Sequence, residues 1–356
     1  MSDIRVAWSR FACLIVGFIF PYLAPASPVG GELLVFPAIQ AENRVNAAQR
    51  NDGGRYDSDI AADLFYSHDK GSLLSLVEFF LGQDEQELER FQLGFSAGEA
   101  TQVWFGRYHS PLTDWNITYH HGRFLQPTVA NPAIVDFEDG GGPLPTHLTG
   151  VMVSSEFFRG DRVYSVDAGL GLGPSLDQGT LSPLDLLRPH QGKQSLSGAL
   201  RLDLESLTGE YKLGLSAGYA QIDRESPDHG RIQQSVVGAY AHWRPGRAAL
   251  SSEVFAVHDR LHSNGRDRDN TFLGGYLQGI YRLGEQFSPY LRLEDTWHNH
   301  NDAYLDQLAD FVDQKQVLGL RYDFIRQQAL NLEYAHSHLA GEYFDDWRLQ
   351  WSAVFP

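Results

Sequence analysis

Asp136, Glu138 and Asp139 stand together just before Gly140-Gly141-Gly142. They lie in the stretch 110–148, "SPLTDWNITYHHGRFLQPTVANPAIVDFEDGGGPLPTHL". Carboxylates held opposite cations across a narrow gap create a transverse field. Such a field orients ions and small hydrated solutes and disfavours apolar ones. A cation suited to this stands at Arg107, just ahead of the stretch and on one strand face with Val103, Phe105 and His109. Further arginines, Arg201, Arg282, Arg292, Arg321 and Arg348, fall on the polar side of alternating segments, with the acids Asp203, Glu253, Glu294, Asp323 and Glu333. Most of these would line and solvate a wet cavity. Arg107, Asp136, Glu138 and Asp139 are the residues expected to narrow and polarise it.

Other groupings carry less chemistry. His298-Asn299-His300-Asn301-Asp302 puts two histidines and a carboxylate on one loop, without the spacing or second cluster that a zinc or nickel site needs. His120-His121 reads as packing or a loop hydrogen bond. Gly169-Leu170-Gly171-Leu172-Gly173 is no phosphate loop, because no helix follows it; its small residues suit the inward face of a strand. No serine sits in a nucleophile elbow. The single cysteine, Cys13, lies in an N-terminal apolar run, so neither thiol catalysis nor a disulfide framework is expected beyond that run. No enzyme activity, metal or cofactor is expected.

The elements that must hold these residues have period two. The chain closes on "WRLQWSAVFP", where Trp347, Leu349, Trp351, Ala353 and Phe355 share one face and Arg348, Gln350 and Ser352 the other. That spacing is a strand. Leu318, Leu320, Tyr322 and Phe324 likewise oppose Gly319, Arg321 and Asp323, and Leu200, Leu202 and Leu204 oppose Arg201, Asp203 and Glu205. About 16 such segments occur, many of ten residues or more, which suffices for a tilted strand to cross a bilayer. The first, at 33–44, is interrupted by Pro37.

Arg5 and Arg10 precede the apolar run 11–23, and Ala24-Pro25-Ala26 follows it. This layout predicts a signal peptide over 1–26 and one barrel domain over 27–356. Nothing after Ala26 approaches a membrane helix in length and apolarity. Acidic residues number 45 against 28 basic, a net charge of −17. That balance argues against nucleic acid and anionic membrane surfaces as partners.

Connections decide the architecture. Tight turns alternate with longer polar connections at 45–57, 83–87, 110–148, 174–194, 223–230, 261–268, 299–316 and 340–344. A soluble sandwich has no reason to put every long loop on one side. A closed antiparallel transmembrane β-barrel does, with short periplasmic turns and long outward loops. Closure is required because hydrocarbon offers no partner to an open strand edge.

With these features on view, the mature chain resembles the trimeric 16-stranded porins of Gram-negative outer membranes and their phosphate-selective relatives. The C-terminal alternation to Phe355 resembles their assembly signal, with Pro356 as a departure. The resemblance implies a homotrimer in outer-membrane lipid that passes small hydrophilic solutes or ions. It also implies that the third outward loop, 110–148, folds into the lumen. A barrel plugged by that loop, serving structure or docking, is the rival reading, with an outer-membrane hydrolase a distant third.

Overall fold

A computed structural model describes residues 31–47, 54–83, 86–119, 122–138, 140–187, 193–225, 230–263 and 265–356. The predicted signal peptide, His120-His121 and Asp139 lie outside the described residues.

Strands follow one another almost without interruption. They are β1 (Gly31–Asn46), β2 (Arg55–Lys70), β3 (Leu73–Leu81), β4 (Gln86–Ser96), β5 (Thr101–His109), β6 (His147–Arg159) and β7 (Arg162–Leu172). Two three-residue strands, β8 (Ser175–Asp177) and β9 (Thr180–Ser182), form a separate hairpin. Then come β10 (Leu196–Ser206), β11 (Tyr211–Asp223), β12 (Arg231–Trp243), β13 (Ala248–Ser263) and β14 (Arg266–Tyr281). Last are β15 (Phe287–Trp297), β16 (Val312–Ile325), β17 (Gln328–Leu339) and β18 (Glu342–Ala353). All but β8 and β9 make one closed antiparallel barrel, in which β1 pairs with β18.

The closing seam answers why alternation persists to the C-terminus. Phe355 exchanges backbone hydrogen bonds with Val35, at 2.8 Å each way. Ala38 through Asn46 pair with Ser352 back to Phe344. Between them the ladder to β18 skips Phe36 and Pro37, as a residue without an N–H requires.

Outside, the barrel is apolar. Leu215 and Leu318 are each 59% exposed, and Leu200, Leu291, Leu332 and Trp347 are exposed with them. In water this would be an aggregating surface; against lipid tails it is the required one. Aromatic residues flank it. Trp243, Tyr281 and the stacked Phe287–Tyr322 pair stand near the short-turn rim, and Trp297 ends its strand at the other rim. Among the described residues no helix is long and apolar enough to cross a membrane, so the strands do the crossing.

Two connections differ from expectation. The predicted loops 261–268 and 340–344 shrink to turns, because β13 and β14 each run 16 residues and β17 joins β18 directly. Past the apolar belt, charged cross-strand pairs sustain the ladder. Arg260 contacts Asp269 at 2.6 Å and His262 contacts Asp267 at 2.5 Å.

Inside, one half of the barrel is filled. The described residues of 110–146, and the segment 298–311, fold inward and pack on β11 to β14. Leu112, Trp115, Ile134, Leu144, Tyr304, Leu308 and Phe311 form a buried cluster with Ile222, Ile232, Val236, Phe255, Val257 and Phe272. Room for it comes from an inward glycine: a Cβ on Gly274 would lie 2.6 Å from the Ile134 side chain.

Candidate functional site

The long connection between β5 and β6 is held by wall side chains bonding to its backbone. It opens with a short helix, α1 (Asp114–Tyr119). The first amides of α1, from Asp114 and Trp115, donate to the Glu253 carboxylate at 2.9 and 2.8 Å. A carboxylate at a helix start is the expected partner for amides that have none within the helix. Further on, Arg321 donates to the carbonyls of Phe124 and Gln126 at 2.8 and 3.0 Å. Glu333 accepts from the amides of Val129 and Ala130 at 2.9 and 3.1 Å. Arg292 donates to the Asn131 carbonyl at 3.0 Å and to Thr128 Oγ1 at 2.7 Å. Lys315 reaches the same Asn131 carbonyl, and Glu294 accepts from the Ala133 amide.

The acids of the segment turn back on their own surroundings. Asp136 accepts from Asn131 Nδ2 at 3.0 Å and from the Phe137 amide at 2.9 Å. Burial pushes its carboxyl up, against the pull of Lys315 and the Asn131 bond. Glu138 is buried and accepts from the amides of Thr146 and His147, at 2.7 and 2.8 Å, and meets His147 Nδ1 at 2.8 Å. Burial alone would raise the Glu138 carboxyl, but the charge and hydrogen bonds of His147 and the Thr146 contacts outweigh it and hold it at about 2.

Arg107 is 1% exposed and faces the interior, bonded to Glu87 and, at 3.2 Å, to the Leu184 carbonyl. Sequence parity places it beside Phe105, but Phe105 is exposed on the outside. Gly106 explains the split. Its φ of 126° reorients the chain between them, and a Cβ there would sit 1.9 Å from the Phe91 carbonyl oxygen. Arg107 does not pair with Glu138. The two are linked at one remove: His147 Nε2 lies 3.2 Å from Glu89, and Glu89 lies 3.9 Å from Arg107.

The other expected interior arginines divide by task. Arg292 and Arg321 hold the loop, as above, with Glu294 and Asp323 as their acidic neighbours at 2.7 and 2.9 Å. Arg201 is buried behind the loop against Asp114, Asp167 and Asp203. Arg348 faces open space, bonded to Glu42 at 3.0 Å. Arg282 needs correction. It falls one residue past the end of β14, exposed at a short turn, because the strand's pairing with β13 ends at Tyr281. The histidines of 298–302 do not assemble with their acid either: His298 and His300 are exposed, while Asp302 is buried. Among the described residues no three of His, Cys, Asp and Glu converge as a metal set.

Beyond the loop lies a cavity of about 710 Å³, bounded by β1, β2, β4 and β16 to β18. Nine carboxylates line it: Glu42, Asp57, Asp59, Asp63, Glu87, Glu89, Asp136, Glu138 and Asp310. Four Lys or Arg residues face them: Arg44, Arg123, Lys315 and Arg348. The expected arrangement, loop acids against wall arginines, is largely reversed. Six of the nine acids belong to β1, β2 and β4. Their signal was present in the sequence, since Asp57, Asp59 and Asp63 occupy alternate positions of one strand.

No family model matches the chain, and no curated protein matches it by sequence. Its fold is that of solved 16-stranded outer-membrane porins. The anion-selective porin of Comamonas acidovorans superposes with a TM-score of 0.62 at 13% identity, covering 91% of this chain and 99% of that one. The outer-membrane channel DcaP of Acinetobacter baumannii gives 0.59 at 11% identity, covering 94% and 100%. OmpF of Salmonella typhi, in complex with daunomycin, gives 0.57 at 10%, covering 92% and 98%. The chain thus has the porin fold: a closed barrel whose apolar outer face suits lipid.

Proposed function

We propose that the protein is a passive diffusion channel for small hydrophilic solutes and ions, with a preference for cations and no catalytic turnover. The observation that carries this reading is the open cavity beside the inserted loop, with nine carboxylates against four Lys or Arg side chains and His147. Such an excess between low-dielectric walls concentrates cations and repels anions. The similar Comamonas porin is described as anion-selective; the lining charges argue for the opposite sign here. A homotrimer is part of the proposal, supported by the trimer form of the similar Vibrio cholerae OmpT. Arg107, Asp136 and Glu138 act in it as supports of the constriction, and Asp57 and Asp59 as part of its field.

The plugged-barrel reading draws on the apolar packing of two segments inside the wall. Planar-bilayer recording separates the two. Steady conductance steps with a reversal potential favouring cations are expected under a salt gradient. Silence supports the plugged barrel, and anion preference overturns the charge argument. Asp57 and Asp310 are exposed on the cavity wall, and Asp57→Asn with Asp310→Asn should lower the cation-to-anion permeability ratio, most at low salt.

A further inference from the structure

Charge is not spread evenly over the barrel. The whole chain carries −17, yet one arc of the short-turn rim has the opposite sign. Strands β12 to β17 are consecutive neighbours in the barrel, and three short turns join them in pairs, at 244–247, 282–286 and 326–327. These turns carry Arg244, Arg247, Arg282 and Arg326 against a single acid, Glu285. Backbone bonds link them into one edge. The Arg282 amide donates to the Arg247 carbonyl at 2.9 Å, and the Asp323 amide to the Gln286 carbonyl at 2.8 Å. Asp323 itself is taken by Arg321, at 2.9 Å, and Arg244 is engaged with the Tyr119 side chain. Arg247, Arg282 and Arg326 are exposed, and among the described residues none of the three has a side-chain hydrogen bond or an ion pair. Arg247 and Arg282 continue the β13–β14 ladder one step past Ala248 and Tyr281. Like charges directly opposite each other cost stability, and an anion between them removes that cost.

The surroundings of the arc say what kind of anion. On the outer face of the same strands stand Trp243, Tyr281 and the stacked Phe287–Tyr322 pair, aromatic residues of the type that sits at headgroup height. Leu283 and Ile325, beside the arginines, are 53% and 56% exposed. Water would leave both uncovered, whereas a lipid headgroup layer covers them and brings phosphates within reach of long arginine side chains. A guanidinium fork matches phosphate oxygens in geometry as well as charge. We propose that this arc binds the headgroups of anionic phospholipids in the leaflet on the short-turn side. Arg247 and Arg282 close on one phosphate, and Arg326 extends the site along the rim. The inference rests on the strands crossing a membrane and is independent of whether the barrel conducts.

The test offers the folded barrel, in a neutral detergent, equal amounts of phosphatidylglycerol and phosphatidylcholine with the same acyl chains, and counts bound lipid by native mass spectrometry. One arginine near an anionic surface changes affinity about fivefold, so phosphatidylglycerol should be retained at least about tenfold over phosphatidylcholine. Raising the salt should weaken that preference. Arg247→Gln with Arg282→Gln should bring the two lipids close to parity, and adding Arg326→Gln should remove what is left. Arg159→Gln with Arg162→Gln takes the same charge from another short turn, where Asp161 lies 3.8 Å from Arg162, and should leave the preference nearly intact. If the double variant fails to fold, Arg282→Gln alone and the wild-type contrast between the two lipids still decide. Equal retention of the two lipids by the wild type overturns the proposal, as does a preference that survives loss of all three arginines. Tighter binding of soluble polyglutamate than of phosphatidylglycerol also overturns it, and would mark the arc as a contact for an acidic protein.

Discussion

Glu138 shows how a residue that looks like part of a field becomes part of a joint. Its carboxylate is consumed by Thr146 and His147 at the root of β6, so it fixes where the loop rejoins the wall. Despite burial, His147 and Thr146 hold its carboxyl at about 2, below the ordinary 4.5. A carboxyl lowered on folding adds stability above its unfolded value, and that stability fades as pH falls from about 4.5 towards 2. The contribution at neutral pH is on the order of 3 kcal/mol. Glu138→Gln should therefore be markedly less stable than wild type at pH 7 in urea unfolding, and the gap should close near pH 2. A constant gap across that range would refute the role. The same variant should change ion selectivity little, because the charge it removes is already paired.

At the scale of the element, the inserted loop is held by side chains that a barrel interior could otherwise leave in water. Arg292 is fully buried and bonded to Thr128, Asn131, Gln278 and Glu294. Replacing it with Met leaves the Glu294 charge underpaired, at a cost of about 3–5 kcal/mol. The loop should then loosen, seen as a lower unfolding temperature and noisier single-channel current. Deleting 128–142 goes further: it removes Ile134 and Val135 from the interior cluster and frees Glu333 and Lys315 to solvate a wider lumen. Conductance should rise and larger solutes should pass. Unchanged conductance after the deletion would mean that another element limits flow.

Taken as a whole molecule, the barrel is a sheet whose outer face answers to lipid. Trp351 sits two residues from the end of β18, with Nε1 donating to Gln328 at 3.3 Å. Leu318, by contrast, lies mid-strand opposite Leu291, and both are exposed. Arginine at Leu318 should cost roughly 2–4 kcal/mol of membrane stability, while arginine at Trp351, nearer the rim, should cost roughly 0–1 kcal/mol. Refolding into lipid vesicles, followed by denaturant titration, measures both. Equal penalties would mean that the bilayer midplane lies elsewhere on the barrel.

The strands, their outward faces and closure through Phe355 were legible in the sequence by itself. Period two is a local property, and a one-residue slip would turn every Leu of the belt into the lumen. Even the filled half left a trace: "VVGAY" and "VFAV" lose the strict alternation where Val236, Phe255 and Val257 pack against the inserted segments. What the tertiary structure decided is the task of each inward charge. Arg321 meets the Phe124 carbonyl across 197 residues, and Glu333 meets Val129 across 204; no local spacing encodes a contact at such separation. The facing of Arg107 was decided there too, since period-two counting assumes an extended backbone and Gly106 departs from it. Arg292 and Arg321, assigned by pattern to the open lumen, were taken instead by the loop carbonyls of Asn131, Phe124 and Gln126. A buried guanidinium needs its hydrogen bonds met, and the inserted backbone was the nearest supply of acceptors.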